Sequence, residues 1–282
     1  MPPAWTLALL LAAKPHPAPE APSRCPADAR VEVNLAAWRA SLEQADVAKR
    51  RDDLLAEVKL ALDLPEPDAA DAPEPRLVLA GVEDAVVQLE ADARADHVLQ
   101  IRYRVEGGQD PGDAPAIHLV QVLRPLEGRA FCALGAGLSR RDAPPRKLVG
   151  FALTFVPLVA DKVKVVQVEQ TFAEARDSET RREYWTARGL KLHKIFDEAT
   201  GRMRSSESGG TTTTVGTLAL TGDYPKRIDL TEVTKRGGCE VRAGDTPCED
   251  GGPASPTTKT TFVYDGAKYV RSASNVSNVP KR

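Results

Sequence analysis

The chain has 282 residues, 42% of them hydrophobic and 28% charged, a composition that supports a packed core and excludes a disordered chain. A formal net charge of −2 gives no global field to draw in nucleic acid or an anionic membrane, so a charged partner has to be met by a local patch. Aromatics make up only 5%, so Val, Leu and Ala must supply most of the core.

The chain opens MPPAWTLALLLAAKPHPAPEAPSRC, with an apolar run from Ala4 to Ala13. That run suits the apolar stretch of a secretion signal and falls well short of the about 20 residues that span a bilayer, so residues 1–13 are expected to be a signal-peptide-like segment. Export to a secreted or periplasmic location follows, with no transmembrane segment in the mature chain. Residues 14–24, where Pro alternates with small residues, are expected to be an extended linker. Cys25 is preceded by Arg24 and lies beyond that linker, so the small-residue pattern leading into a lipoprotein cysteine is missing.

Residues 25–64 are expected to be a helical segment. Leu35, Trp38, Leu42 and Ala45, then Leu55, Val58 and Leu62, recur at three- and four-residue spacing. Asn34 is a suitable N-cap and Pro65 a terminator, and one long helix or two shorter ones fit equally well. Such a segment can dock on the C-terminal part of the chain or serve as a scaffold that contacts a partner protein. The acidic, proline-rich stretch 65–76 is read as a second linker.

From there the period changes to two. Residues 77–271 are expected to be an antiparallel β domain, and 272–282 a flexible tail. HVLQIRYRV at 97–105 is the clearest strand: Leu99, Ile101, Tyr103 and Val105 point one way, and Gln100, Arg102 and Arg104 the other. Further strands are predicted over 85–90, 116–123, 129–134, 148–157, 162–172, 182–188, 190–197, 215–221, 226–235 and 260–270. Asp265-Gly266 between aromatic β-formers is the strongest hairpin signal. The fold class is therefore mainly β: an antiparallel meander or two-layer sheet of about ten strands with an N-terminal helical segment. Irregular strand lengths, sparse aromatics and frequent Pro argue against an outer-membrane barrel.

Four cysteines are an even count in a chain expected to be exported. Cys239 and Cys248, in GGCEVRAGDTPCEDGG, close a short loop, worth about 2.5–3 kcal/mol in the chain-entropy model. Cys25 with Cys132 is the pairing left over. Zinc wants C-x-x-C or two nearby His, thioredoxin-like redox chemistry wants C-x-x-C, and calcium wants regularly spaced acids, none of which is present. His97, His118 and His193 fall on separate strands with no local partner motif. Neither Glu83-Asp84 nor Asp197-Glu198 converges by itself, because neighbours on a strand face opposite ways. No nucleophile elbow, zincin motif or phosphate loop occurs, so no catalytic residue, metal or cofactor is assigned.

The most suggestive surface is RREYWTARGLKLHKIF at 181–196, a hairpin around Arg188-Gly189. Arg181, Arg182, Tyr184, Trp185, Lys191 and His193 form a candidate binding patch, because cations interleaved with aromatics hold anionic groups by charge and stacking. The competing account is a packed face backed by solvated cations. Taken together, the sequence points to an exported, soluble, β-rich binding or structural module of the cell envelope without catalysis. Its partner would be an envelope protein or an anionic glycan rather than nucleic acid. The alternative is a secreted hydrolase whose acids or histidines meet only in three dimensions.

Overall fold

The computed structural model describes residues 25–45, 47–62, 76–91, 93–106, 116–135, 138–140, 146–205, 210–237 and 256–278. The signal-like segment, the linkers at 14–24 and 65–75, and Cys239 with Cys248 lie outside the described residues.

The helical stripe resolves into α1 (Leu35–Glu43) and α2 (Ala48–Glu57). Asn34 caps α1 as its sequence predicts, its side-chain oxygen accepting from Ala37 N at 3.2 Å. Trp38 Nε1 donates to Leu54 O at 2.7 Å and ties the two helices together. No helix among the described residues is long and apolar enough to cross a membrane.

Beneath the helices lies a sheet of β1 (Arg30–Glu32), β2 (Arg76–Val87), β3 (Asp96–Glu106), β4 (Ala116–Pro125), β5 (Ala130–Ala133) and β6 (Leu138–Arg140). Its order is β1-β5-β4-β3-β2, with β6 also pairing β4. Trp38, Leu42, Leu55 and Val58 are buried in one cluster with Leu99, Ile101, Tyr103 and Leu119 of this sheet. Buried Gln121 donates to the carbonyls of Val58 and Lys59 at 3.0 and 3.1 Å, supplying partners for the end of α2. Trp38, Leu42, Leu55 and Val58 are thus buried on the chain's own sheet, with Leu35 and Leu54 partly buried against it, so the helical segment docks on the C-terminal part of the chain.

The second sheet is a pure meander in chain order: β7 (Lys147–Pro157), β8 (Lys164–Glu174), β9 (Asp177–Arg188), β10 (Lys191–Ser205), β11 (Thr211–Thr221), β12 (Arg227–Gly237), β13 (Pro256–Tyr264) and β14 (Tyr269–Asn278). β14 runs to Asn278, so the described part of the expected tail is strand. Alternation on β8 divides the core. Val166 and Val168 join Val98, Val120 and Val122 of the first sheet, while Val165 joins Tyr184, Phe196, Ile228, Leu230 and Phe262 in a separate cluster within the second sheet. The first sheet is therefore covered on both faces. Gln100, expected on a polar face, is only 8% exposed because the second sheet lies over it.

Two turns follow their sequence signals. Asp265 Oδ1 accepts from Ala267 N and Lys268 N, both at 2.8 Å, with Gly266 at φ +101° between β13 and β14. Gly189, at φ +57°, turns β9 into β10. β10 carries irregularities at 194/196 and 199/201 that break its alternation. Against this strand Gly216 has no room for a side chain: a Cβ would stand 2.7 Å from Thr200 O and 2.9 Å from Leu230 Cδ1. Because the nearer atom is backbone, Gly216→Ala is expected to cost about 1–3 kcal/mol in urea unfolding. Gly201→Ala, whose nearest contact is Thr180 Cβ at 3.3 Å, should cost less.

Cys25 and Cys132 form a disulfide, with S–S 2.07 Å and Cα–Cα 5.7 Å. It fastens the N-terminal segment to β5, beside the β1–β5 pairing in which Arg30 is opposite Cys132.

Candidate functional site

The six residues of the basic and aromatic hairpin lie on β9 and β10, but the register divides them. Arg181 and Trp185 share one face of β9, and Arg182 and Tyr184 the other. Lys191 and His193 pair with Arg188 and Thr186 and so go with the second face; both are exposed. Arg181 donates to Asp197 Oδ1 at 2.8 and 3.2 Å and to Glu179 Oε1 at 3.1 Å. Arg182 Nε donates to Glu169 Oε2 at 2.9 Å and its Nη2 reaches the same oxygen. Tyr184 is 1% exposed, and burial pushes its phenol pKa up. Trp185 Nε1 donates to Glu183 Oε2 at 2.9 Å, with Lys194 Nζ 5.6 Å from the ring centroid. Burial works against the Asp197 carboxylate, yet hydrogen bonds from Lys194 and Arg181 outweigh it and hold its pKa below the ordinary value. Both arginines of the patch are therefore matched by carboxylates, and their charge is spent within the sheet.

A different place gathers polar groups that are not matched. The interface between the two sheets is apolar at one end, where Val87, Val98, Val122, Val166, Val168 and Ala187 meet. At its other end stand residues that alternation on β3, β4, β7 and β8 turns inward. Arg102 lies opposite His118 across β3 and β4, and Phe151 opposite Gln170 across β7 and β8. His118 stacks on Phe151 across the interface, ring centroids 4.2 Å apart and 18° between planes, which joins the two pairs. His118 is 8% exposed and Gln170 is 5% exposed. Among the described residues, His118 Nδ1, Gln170 Oε1 and Arg102 Nε are buried without a hydrogen-bond partner. Orphaned buried polar atoms are rare, because each costs about 1–3 kcal/mol, and three bordering one seam make it the candidate site. The remaining one, Tyr103 Oη, lies on the helical side, where Arg51 stands 5.9 Å from the Tyr103 ring centroid.

At the edge of this seam Arg102 Nη2 donates to Glu83 Oε1 at 2.6 Å, and both side chains are substantially exposed. Burial, helped by the Arg102 charge, lowers the His118 pKa to about 4 from 6.5, so the imidazole is neutral near pH 7. The unfolded chain takes up a proton below about 6.5, whereas the folded chain takes it up only near 4. Stability from this residue is thus full above about 6.5, falls as pH drops toward about 4, and is level below. The loss is expected to approach roughly 3 kcal/mol. Urea unfolding from neutral pH into that window, compared with His118→Asn, checks it: the variant should lack this slope.

One further pair has geometry that the sequence hid. His97 Nδ1 lies 3.0 and 3.1 Å from the two Asp84 carboxylate oxygens, and His97 also meets Phe131 edge-on at 5.5 Å. Among the described residues no hydroxyl or thiol is hydrogen-bonded to this imidazole, and no group of three or more His, Cys, Asp and Glu could hold a metal ion. On the second sheet an open trough of about 390 Å³ is lined by Glu169, Thr180, Arg182, Met203, Thr213 and Val215, with the Arg182–Glu169 pair on its wall.

The fold and seam define a class: a two-sheet antiparallel β protein with a helical layer on one face and buried polar groups at one end of the contact between the sheets. Comparison with protein-family models, with curated proteins and with solved structures finds no match for the chain.

Proposed function

We propose that this protein is an exported, non-catalytic binding module whose ligand enters at the polar end of the seam between the sheets. The observation that carries the binding half is the set of three unpartnered polar atoms on Arg102, His118 and Gln170. A hydrogen-bonding ligand there would recover interactions that folding gives up. Export is supported by the Cys25–Cys132 disulfide, a bond that persists in oxidising compartments, together with the signal-like N-terminal run. Because Arg181 and Arg182 are already paired with carboxylates, an anionic glycan is a poorer partner than the sequence suggested.

The test has two readouts. Intact mass of the exported protein, with and without thiol blocking before reduction, should show a shortened N-terminus and cysteines that react only after reduction. A full-length chain with four free thiols would remove the export half. Thermal shift against a panel of neutral, anionic and cationic small molecules reads the binding half, and no shift from any class would remove it.

The His97–Asp84 contact favours a second reading, a secreted hydrolase in which Asp84 orients His97. Hydrolysis of ester or glycoside probes that is abolished in both His97→Gln and Asp84→Asn would replace the binding-module reading.

A further inference from the structure

Resting on the binding-module reading, we propose that the seam takes a neutral, hydroxyl-bearing ligand of the saccharide or polyol class. One hydroxyl accepts from Arg102 Nε and donates to Gln170 Oε1 or His118 Nδ1.

Donors and acceptors at the seam select the ligand. Arg102 Nε carries an N–H and can only donate; Gln170 Oε1 can only accept; His118 Nδ1 does either according to tautomer. An anion such as phosphate or carboxylate offers acceptors alone, so it would satisfy Arg102 and leave the Gln170 oxygen facing a negative charge. It would also find no unmatched positive charge at the seam, since Arg102 is held by Glu83, and Arg181 by Asp197 and Glu179. An ammonium ion offers donors alone and would face the Arg102 guanidinium. An apolar group would leave all three atoms orphaned, at about 1–3 kcal/mol each. A neutral hydroxyl is both donor and acceptor and turns to suit. His118 is neutral near pH 7, which keeps the seam free of a second positive charge. The approach is from the exposed edge, where the Arg102 side chain is 41% and the Glu83 side chain 60% exposed, so only part of the ligand needs to enter.

The test uses the full disulfide-bonded chain with isotope-labelled His and Gln side chains, and three probes that share the pyranose ring: glucose, glucosamine, in which an ammonium replaces one hydroxyl, and glucuronate, in which a carboxylate replaces the hydroxymethyl group. The expected result is a saturable shift of the His118 and Gln170 resonances by glucose, with each charged analogue weaker by about tenfold. Arg102→Lys keeps the charge beside Glu83 but removes Nε, and should weaken glucose by about tenfold. Gln170→Leu should do the same from the other side, with the Arg102→Lys variant deciding if Gln170→Leu fails to fold. Tighter binding of glucuronate or glucosamine at these resonances would overturn the ligand class while leaving the binding module standing. Unchanged glucose binding in Arg102→Lys would overturn the assignment of the hydroxyl. Silence from all three probes, with a long-lived water detected beside His118, would make the seam a hydration site and overturn the proposal.

Discussion

Replacing Arg124 by Met is expected to destabilise the protein by about 3–5 kcal/mol. Arg124 on β4 donates to both oxygens of Asp96, at 2.9 and 3.2 Å, and through Nη1 to Glu90 Oε2 and to Gly189 O, each at 2.5 Å. Gly189 N in turn donates to Glu90 Oε1 at 3.1 Å. One guanidinium therefore fastens the β9–β10 turn of the second sheet to the first, closing the apolar end of the interface. Asp96 is 0% exposed. Burial dominates its environment and holds its pKa above the ordinary value in spite of the bidentate arginine, while Arg124, which keeps some exposure, has its own pKa raised by Asp96 and Glu90 against the cost of burial. The pair does not fully offset the desolvation of Asp96, so its main contribution is to fix how the sheets meet. Without Arg124 the Asp96 carboxyl is left buried without a countercharge, keeping only its backbone hydrogen bond from Leu89. Arg124→Met with Asp96→Asn should recover a large part of the loss, because the buried charge goes with its partner. Urea unfolding of the two single variants and the double completes the cycle. Amide exchange at Gly189 should accelerate in Arg124→Met while the far end of the second sheet keeps its protection. A loss under about 1 kcal/mol for Arg124→Met would show that the turn is held by apolar packing and the Gly189 N–Glu90 hydrogen bond.

The clamp and the seam also mark the limit of what the sequence could tell. Period-two alternation located most long strands, since β-branched residues at every second position announce a face that is buried. It could not say what covers the opposite face. Gln100, Arg102 and His118 stand where a half-solvated strand puts its polar side, and only the docking of β7 and β8 turns that side into an interior. The basic hairpin hid its own ion pairs for a related reason: Glu169, which pairs with Arg182, sits on the neighbouring strand β8, and strand register brings it there. Alternation also fails wherever a strand is bent. The two irregularities in β10 put Phe196 and Gly201 out of step, so the sequence pattern ended at Asp197 although pairing continues to Met203 with β9 and to Ser205 with β11. The three-residue strands β1 and β6 are too short to carry any period. Of the cysteines, the pair left over by elimination is the one described, because linear spacing says nothing of a contact between residues 107 apart.

That separation sets the second large effect. Removing the Cys25–Cys132 link as Cys25→Ala with Cys132→Ala is expected to cost about 4–5 kcal/mol, the chain-entropy value for a closed loop of about 100 residues. The link restrains the unfolded chain over both helices and most of the first sheet, so the double variant should also show a steeper urea dependence as its unfolded state expands. The single variants separate the cross-link from local packing. Cys25 is partly exposed and Cys132 is 0% exposed in β5, so both lose the link, but Cys132→Ala also leaves a small void among buried neighbours. Cys132→Ala should therefore fall below Cys25→Ala, and wild type under reducing conditions should approach Cys25→Ala. Hydrogen exchange ought to place the loss in β1, β5 and α1, with the meander β7–β14 protected as before. If the double variant lost less than about 1 kcal/mol with unchanged urea dependence, the N-terminal segment would be held by the burial of Val31, Trp38 and Leu42. The covalent tie would then serve only to keep that segment in register with β5.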